Sequence, residues 1–330
     1  MARYFTQGTF TTETNYAKAI RIAMYTGFTA AIAAGKSTWS IADHSYVNGT
    51  FERTVFNCST GTGFSIMVGN HNAAGTQTFN SYLGKSYNAT THVLDKLGFG
   101  MTINTAAASD GYSSATLNPT AVGTSSTQPS PHSSANYVTI PATISNWFLV
   151  VEDDYAVFSI KDGTAGIGTV WYFGAFETAV TNTSLTDSAP YTLTQNGTAS
   201  GAESIILHSL NNQSKTIGHG GTILPATPAG IVGRPSAATI YDVYKTGTKS
   251  VLSKIKIFRA NNDVKVVANP NTDGHHRGNL KGVTYTSPTG AAWGDQIDVN
   301  GTTYLYAGGI ASTAGTSGAA TNMAWWVAIN

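Results

Sequence analysis

Residues 146–177 (NWFLVVEDDYAVFSIKDGTAGIGTVWYFGAFE) carry the densest concentration of large hydrophobic side chains in this 330-residue chain. Three β-branched and aromatic segments, 147–151, 155–160 and 169–176, are separated by short turn sequences that begin with EDD and KDG. Connections this short join antiparallel neighbours. The segment 147–151 is apolar throughout, which is typical of a strand that is buried on both faces. The sequence therefore predicts an antiparallel meander at the core of the fold.

The rest of the chain predicts one helix and many short strands. Thr14 or Asn15 can cap a helix, apolar residues follow at helical spacing, and Gly27 is expected to end it. Near the carboxyl terminus, an Asn-Gly pair at 300–301 predicts a two-residue hairpin turn. The apolar segment 323–329 predicts a terminal strand that pairs within a sheet. The predicted fold class is mainly β, with antiparallel sandwich or meander domains and one short N-terminal α-helix.

Changes in composition divide the chain into four regions. Residues 1–13 are polar with interleaved aromatics, which indicates an arm that docks on another surface. Residues 14–103 are predicted to form a helix and a β region. Residues 104–136 consist almost wholly of Ala, Ser, Thr, Gly and Pro, which indicates a long loop or a linker. Residues 137–330 are predicted to form a larger β domain that includes the terminal hairpin and strand.

The composition argues against several classes of partner. Charged residues make up 11% of the chain, less than half of the roughly 25% in an average soluble domain. The net charge of +1 gives no electrostatic basis for binding nucleic acid or an anionic membrane.

The single cysteine, Cys58, excludes an intramolecular disulfide framework. We recognise neither a signal peptide nor an apolar segment of 18 residues, so we expect folding in a cytoplasm.

Two motifs invite a catalytic interpretation. Residues 34–38 (AGKST) look like the end of a phosphate-binding loop, but position 30 is Ala where that pattern requires Gly. A polar turn after the helix is the favoured interpretation. The consecutive acids at 152–154, with Glu177 as a further partner, could supply the two carboxylates of a glycosidase. Acids between two strong strands more commonly form a solvated turn, which we favour.

The histidine pair His275 and His276 is the strongest candidate in the sequence for a metal-binding, pH-sensitive or catalytic cluster. Adjacent histidines in a strand point to opposite faces and cannot both bind one metal ion, whereas in a loop they can. His208 and His219 are the other histidines that could approach them. A solvent-facing turn is favoured over a metal site, a pH-sensitive contact or catalysis. We therefore predict no catalytic, cofactor-binding or metal-binding residue, and no cofactor.

Lysines are concentrated near residue 254. Lys254 and Lys256 alternate with isoleucines, which places both lysines on one face of a predicted strand. Binding to single-stranded nucleic acid would require stacking aromatics as well, and only Phe258 is close in sequence. A guard against edge-to-edge strand pairing, or a rim that meets an acidic neighbour, is favoured.

The linear order of these features resembles that of a loose group of structural proteins in tailed-bacteriophage virions. The resemblance lies in a helix ending at a Gly-aromatic pair, a Trp-initiated strand, an Arg-containing strand, a central aromatic meander, a Pro-Tyr turn and a late hairpin. The corresponding segments are GF at 27–28, TWSI at 38–41, RTVF at 53–56, FSIMVG at 64–69, WF at 147–148, VFSI at 157–160, YFGAF at 172–176, PY at 190–191 and GDQIDVNGTTY at 294–304.

This resemblance implies a non-enzymatic structural component of the virion, on the tail, the baseplate or the head surface. Its expected partners are copies of itself and other virion proteins, without nucleic acid or membrane. The expected contact residues are Tyr4, Phe5, Phe10, Lys254 and Lys256. The alternative is a carbohydrate-binding β module that attaches to a host surface glycan, for which six tryptophans and 16 tyrosines could provide stacking platforms. A glycan-degrading enzyme is a third hypothesis.

Overall fold

A computed structural model describes most of the predicted elements. The described residues are 3–10, 13–48, 51–61, 63–71, 78–84, 86–95, 135–139, 144–161, 168–178, 191–195, 204–209, 215–218, 230–232, 252–259, 275–286, 291–309 and 324–330. Most of the predicted loop or linker, residues 104–134, lies outside them, whereas residues 135 and 136 begin a strand. The predicted fold class is confirmed: the described chain is mainly antiparallel β-sheet with an N-terminal helix.

A central sheet of seven antiparallel strands contains the predicted meander. Its strands, in spatial order, are β1 (Tyr4–Thr9), β9 (Asn146–Val151), β10 (Tyr155–Lys161), β11 (Gly168–Gly174), β13 (Tyr191–Gln195), β14 (Ser204–Ser209) and β15 (Lys215–Gly218). The neighbours β9, β10 and β11 follow one another in sequence as predicted. The predicted arm supplies β1, which pairs with β9 and places Tyr4 opposite Val151 and Thr9 opposite Asn146.

Two further sheets and a short strand pair complete the described fold. The helix-side sheet comprises β2 (Trp39–Asn48), β3 (Phe51–Cys58), β4 (Phe64–His71), β5 (Thr78–Gly84) and β8 (Ala135–Thr139). The outer sheet comprises β16 (Gly230–Val232), β17 (Ser253–Arg259), β18 (His275–Thr286), β21 (Ala324–Ala328), β20 (Thr302–Gly309) and β19 (Gln296–Val299), with β12 (Phe176–Thr178) pairing with β18. The strands β6 (Ser86–Asn88) and β7 (Val93–Asp95) pair with each other.

The helix α1 (Tyr16–Ala33) is longer than predicted. The Asn15 side chain caps it by accepting a hydrogen bond from Lys18 N at 3.0 Å. The expected stop at Gly27 is wrong, because the helix continues through this residue. A Cβ atom at Gly27 would lie 2.7 Å from Leu149 Cδ2, so the glycine lets the helix approach the central sheet. Phe28 is consequently a residue of the helix and is buried in the core. Its ring centroid lies 4.1 Å from that of Phe56.

The strand β9 is buried on both faces, as its sequence predicted. On one face, Trp147, Leu149 and Val151 join a core formed with α1 and the helix-side sheet. On the other face, Phe148 and Val150 join a second core formed with the outer sheet. This alternation follows the two-residue period of a strand. The described fold is therefore a three-layer arrangement in which the meander is the middle layer.

The carboxyl-terminal predictions are also confirmed. Strands β19 and β20 form a hairpin in which Asn300 and Gly301 have φ values of 50° and 79°, as a two-residue turn of this type requires. The terminal strand β21 pairs with both β18 and β20 inside the outer sheet. Within the described part of the chain, no helix combines the length and the hydropathy that a membrane crossing requires.

Candidate functional site

The turn Glu152-Asp153-Asp154 between β9 and β10 lies where the three layers converge. Glu152 N donates a hydrogen bond to Tyr155 O at 2.9 Å and closes the hairpin. Each carboxylate contacts a cation from a different layer. We call these six residues the acidic clamp, which pairs Glu152 with Arg3, Asp153 with Lys36, and Asp154 with Lys281. Arg3 precedes β1, Lys36 follows α1 and Lys281 lies in β18.

The Glu152 pair ties the start of β1 to the hairpin. Arg3 Nε lies 2.9 Å from Glu152 Oε1 and donates to Tyr155 Oη at 3.2 Å. The Tyr155 hydroxyl in turn donates to Glu152 Oε1 at 3.3 Å. Burial raises the pKa of Tyr155, although the neighbouring Arg3 opposes this, so the hydroxyl keeps the proton that it donates. The backbone oxygen of Glu152 accepts a further bond from Trp39 Nε1 at 2.6 Å.

The Asp153 pair ties the helix layer to the same turn. Lys36 is only 7% exposed, and its Nζ lies 3.3 Å from Asp153 Oδ1. The Asp153 backbone oxygen accepts hydrogen bonds from Thr60 Oγ1 at 2.6 Å and from Cys58 Sγ at 3.4 Å. Burial raises the pKa of the Cys58 thiol, which disfavours the thiolate that a cysteine nucleophile requires. The side chains around Asp153 therefore serve as hydrogen-bond and charge partners of the turn.

The Asp154 pair ties the outer sheet to the turn. Lys281 Nζ donates to Asp154 Oδ2, and the Asp154 backbone oxygen accepts from Ala175 N at 2.9 Å. The chain can approach this closely because Gly174 has no side chain. A Cβ atom at Gly174 would lie 2.3 Å from Asp154 O, and its φ of +123° also disfavours other residues.

The acidic turn is thus more than the solvated turn that we favoured. Its carboxylates are partly buried and each is paired with an Arg or Lys of its own chain. Glu177, the further acid of the glycosidase hypothesis, instead pairs with Lys254 at 2.5 Å, and both of these side chains are exposed. Charge pairing across layers is the arrangement expected of a structural contact. The turn expected at residues 34–38 follows α1 and directs Lys36 toward this contact.

A second buried polar cluster joins α1 to the helix-side sheet. The Arg21 guanidinium is buried and contacts Glu52 Oε1 at 2.5 Å, Asn70 Oδ1 at 2.9 Å and Thr54 Oγ1 at 3.0 Å. Burial lowers the pKa of Arg21, whereas the Glu52 carboxylate opposes this effect. Several hydrogen bonds to one buried guanidinium hold its partners in a fixed arrangement. This cluster therefore fixes the helix on the sheet.

The histidine pair does not lie in a solvent-facing turn. His275 and His276 begin β18 and lie opposite Arg259 and Phe258 of β17. The expected turn is wrong because strand pairing with β17 extends to this end of β18. Among the described residues, no group of three or more His, Cys, Asp or Glu side chains is placed to hold a metal ion.

The expected contact residues occupy two parts of the molecule. Tyr4 and Phe10 are partly buried against the first core, and Phe5 is partly buried against the second, 6.1 Å from the Phe148 ring centroid. Lys254 and Lys256 lie in β17. The structure therefore docks the aromatics of the predicted arm on their own chain, and the role of all five predicted contact residues at an interface stays a prediction.

An open groove lies at the end of the β1–β9 pair opposite to the acidic clamp. Its volume is about 410 Å³. We call it the neutral groove, and it is lined by Gln7, Gly8, Thr9, Asn146, Trp147 and Trp293. Gln7 and Thr9 are exposed, whereas Asn146 and Trp293 are partly buried. The groove therefore combines amide and hydroxyl groups with two indole rings, and none of its lining side chains is charged.

Sequence reasoning did not identify this groove, although one signal was available. Of the six tryptophans, five are at most 6% exposed and belong to the cores: Trp39, Trp147, Trp171, Trp325 and Trp326. Trp293 lies outside the strands, between β18 and β19. A tryptophan outside every predicted strand is a candidate for contacts at the edge of a core, and Trp293 is only partly buried there. Its groove partners lie 146 or more residues earlier and cannot be recognised from local pattern.

Comparison of the sequence with protein-family models and with curated proteins found no match.

Proposed function

We propose that this protein is a non-enzymatic structural subunit of a tailed-bacteriophage virion. It would assemble on the tail, the baseplate or the capsid surface through repeated contacts with copies of itself and with other virion proteins. The order of sequence features supports the bacteriophage assignment. The ion pairs within the described fold support the structural role.

The observation that carries the structural role is the acidic clamp. Three charge pairs join three layers at one turn and so hold these layers together. Among the described residues, six Lys/Arg–Asp/Glu pairs use six of the chain's 18 basic and six of its 17 acidic residues. Because charged residues make up only 11% of the chain, a surface of this composition can be buried against another subunit with a small desolvation penalty.

The test is a measurement of the molar mass of the purified protein in solution by multi-angle light scattering, with negative-stain microscopy of the same sample. We expect a closed ring, a tube or one discrete oligomer. A strict monomer up to the highest soluble concentration contradicts self-assembly. Hydrolysis of a glycan by the purified protein contradicts the non-enzymatic assignment.

A further inference from the structure

The neutral groove has a definite inner surface that follows from strand register. Residues that lie directly opposite each other in paired strands share a face of the sheet. Gln7 is opposite Phe148 and Thr9 is opposite Asn146, so all four side chains lie on the face of the second core. The Phe148 ring is 5.3 Å from the Trp293 ring, measured between centroids. The polar side chains therefore lie on the face of the sheet against which Trp293 packs.

Trp293 is held in place before any ligand arrives. Its Nε1 donates to Ser159 Oγ at 2.8 Å, and Ser159 Oγ donates to Ala307 O at 2.6 Å. The surrounding turn is closed by Asp295, whose carboxylate accepts from Ala292 N at 2.7 Å. An aromatic ring that is fixed by hydrogen bonds loses little conformational entropy when a ligand stacks on it.

The polar side chains of the groove are available to a ligand. Within the part of the chain that the structure describes, no hydrogen bond involves the side chains of Gln7, Thr9 or Asn146. Two amides and a hydroxyl can donate and accept at the same time, which suits the vicinal hydroxyls of a sugar. Because none of the lining side chains is charged, an acidic or phosphorylated ligand finds no counter-charge in the lining.

We propose that the neutral groove binds an uncharged pyranose, whose apolar ring face stacks on Trp293 and whose hydroxyls bond to Gln7, Thr9 and Asn146. The volume of about 410 Å³ falls within the roughly 300–1,000 Å³ of small-molecule sites. This binding activity goes beyond the proposed structural role and does not depend on it. A saccharide-binding subunit can be monomeric or assembled.

The experiment is an NMR titration of the full chain with methyl pyranosides of glucose, galactose, mannose and N-acetylglucosamine. The readout is the indole N–H resonance of Trp293, assigned by its loss in Trp293→Phe. We expect at least one neutral pyranoside to shift this resonance in a saturable manner. Glucuronic acid and glucose 6-phosphate, the charged counterparts, should bind more weakly.

Matched variants on one strand locate the site. Thr9→Val and Gln7→Ala each remove groove hydrogen bonds at exposed positions and should weaken binding about twofold to tenfold. Thr6→Val makes the same change on the opposite face of β1, because Thr6 lies opposite Leu149 of the first core. It should leave the affinity unchanged.

Three outcomes overturn the proposal. The first is that no neutral pyranoside shifts the Trp293 resonance at about 10 mM, a concentration at which even millimolar affinity is visible. The second is that binding survives Thr9→Val and Gln7→Ala unchanged. The third is that these two variants alter the oligomer mass instead of sugar affinity, which assigns the groove to contact with another protein chain.

Discussion

At one end of the β1–β9 pair, where Tyr4 lies opposite Val151, three carboxylates meet three cations from three layers. At the other end, where Thr9 lies opposite Asn146, the side chains are neutral and an open groove remains. The same two strands thus carry a closed, charged end and an open, uncharged end. The difference indicates that the acidic clamp maintains the fold, whereas the neutral groove is free to bind.

The largest expected effect tests the close packing at the acidic clamp. Gly174→Ala should lower the free energy of unfolding by more than about 3 kcal/mol, because the new Cβ would lie 2.3 Å from the Asp154 backbone oxygen at a φ of +123°. Urea denaturation, or loss of soluble expression, measures this effect.

The matched control is Gly35→Ala. Gly35 has a φ of +99°, but no atom lies within 4 Å of the position that its Cβ would occupy. The control should therefore show backbone strain alone, about 1–2 kcal/mol. Equal losses in the two variants would contradict the claim that close packing at Asp154 matters.

The second prediction concerns the charge pairs themselves. Lys281→Met removes the cation of the partly buried Asp154 and should lower the free energy of unfolding by about 1–2 kcal/mol. Lys254→Met breaks the exposed Lys254–Glu177 pair and should change it by less than about 0.5 kcal/mol. Thermal and urea unfolding of both variants provide the comparison. A larger loss for Lys254→Met would reverse the assignment of the stabilising pair.

The third prediction concerns the effect of alkaline pH on two buried tyrosines. Burial raises the pKa of Tyr155 and of Tyr172 above the ordinary 10.0. A raised pKa in the folded state means that the stabilisation is fully present below pH 10 and is lost as the pH rises above it. We therefore expect the free energy of unfolding to fall above this pH, with a shallower fall in Tyr155→Phe. A flat profile through tyrosine ionisation, followed by ultraviolet absorbance, would contradict this.

The sequence predicted those elements whose signals are local. The meander β9–β11 follows from its apolar runs and short turns, and the hairpin β19–β20 follows from Asn300-Gly301. The end of α1 was mispredicted because Gly27 serves a contact with Leu149, which lies far away in sequence.

The functional groups of both ends depend on long-range contacts. Arg3 and Glu152 are 149 positions apart, and Trp293 lies 147 positions beyond Asn146. Neither of these two long-range pairs is recognisable from hydrophobic periodicity, because periodicity reports only which face of an element is buried. The acidic turn could therefore be placed between two strands from sequence, but its three cations could not be identified.

The most direct test of this division between the two ends is the free energy of unfolding of two double variants. Asp153→Asn with Asp154→Asn weakens the acidic clamp, and Gln7→Ala with Thr9→Val alters the neutral groove. We predict a loss of about 2–4 kcal/mol for the first and a change within about 0.5 kcal/mol for the second. A groove variant that loses as much stability as the clamp variant would contradict the account, because the open end would then also be part of what holds the fold together.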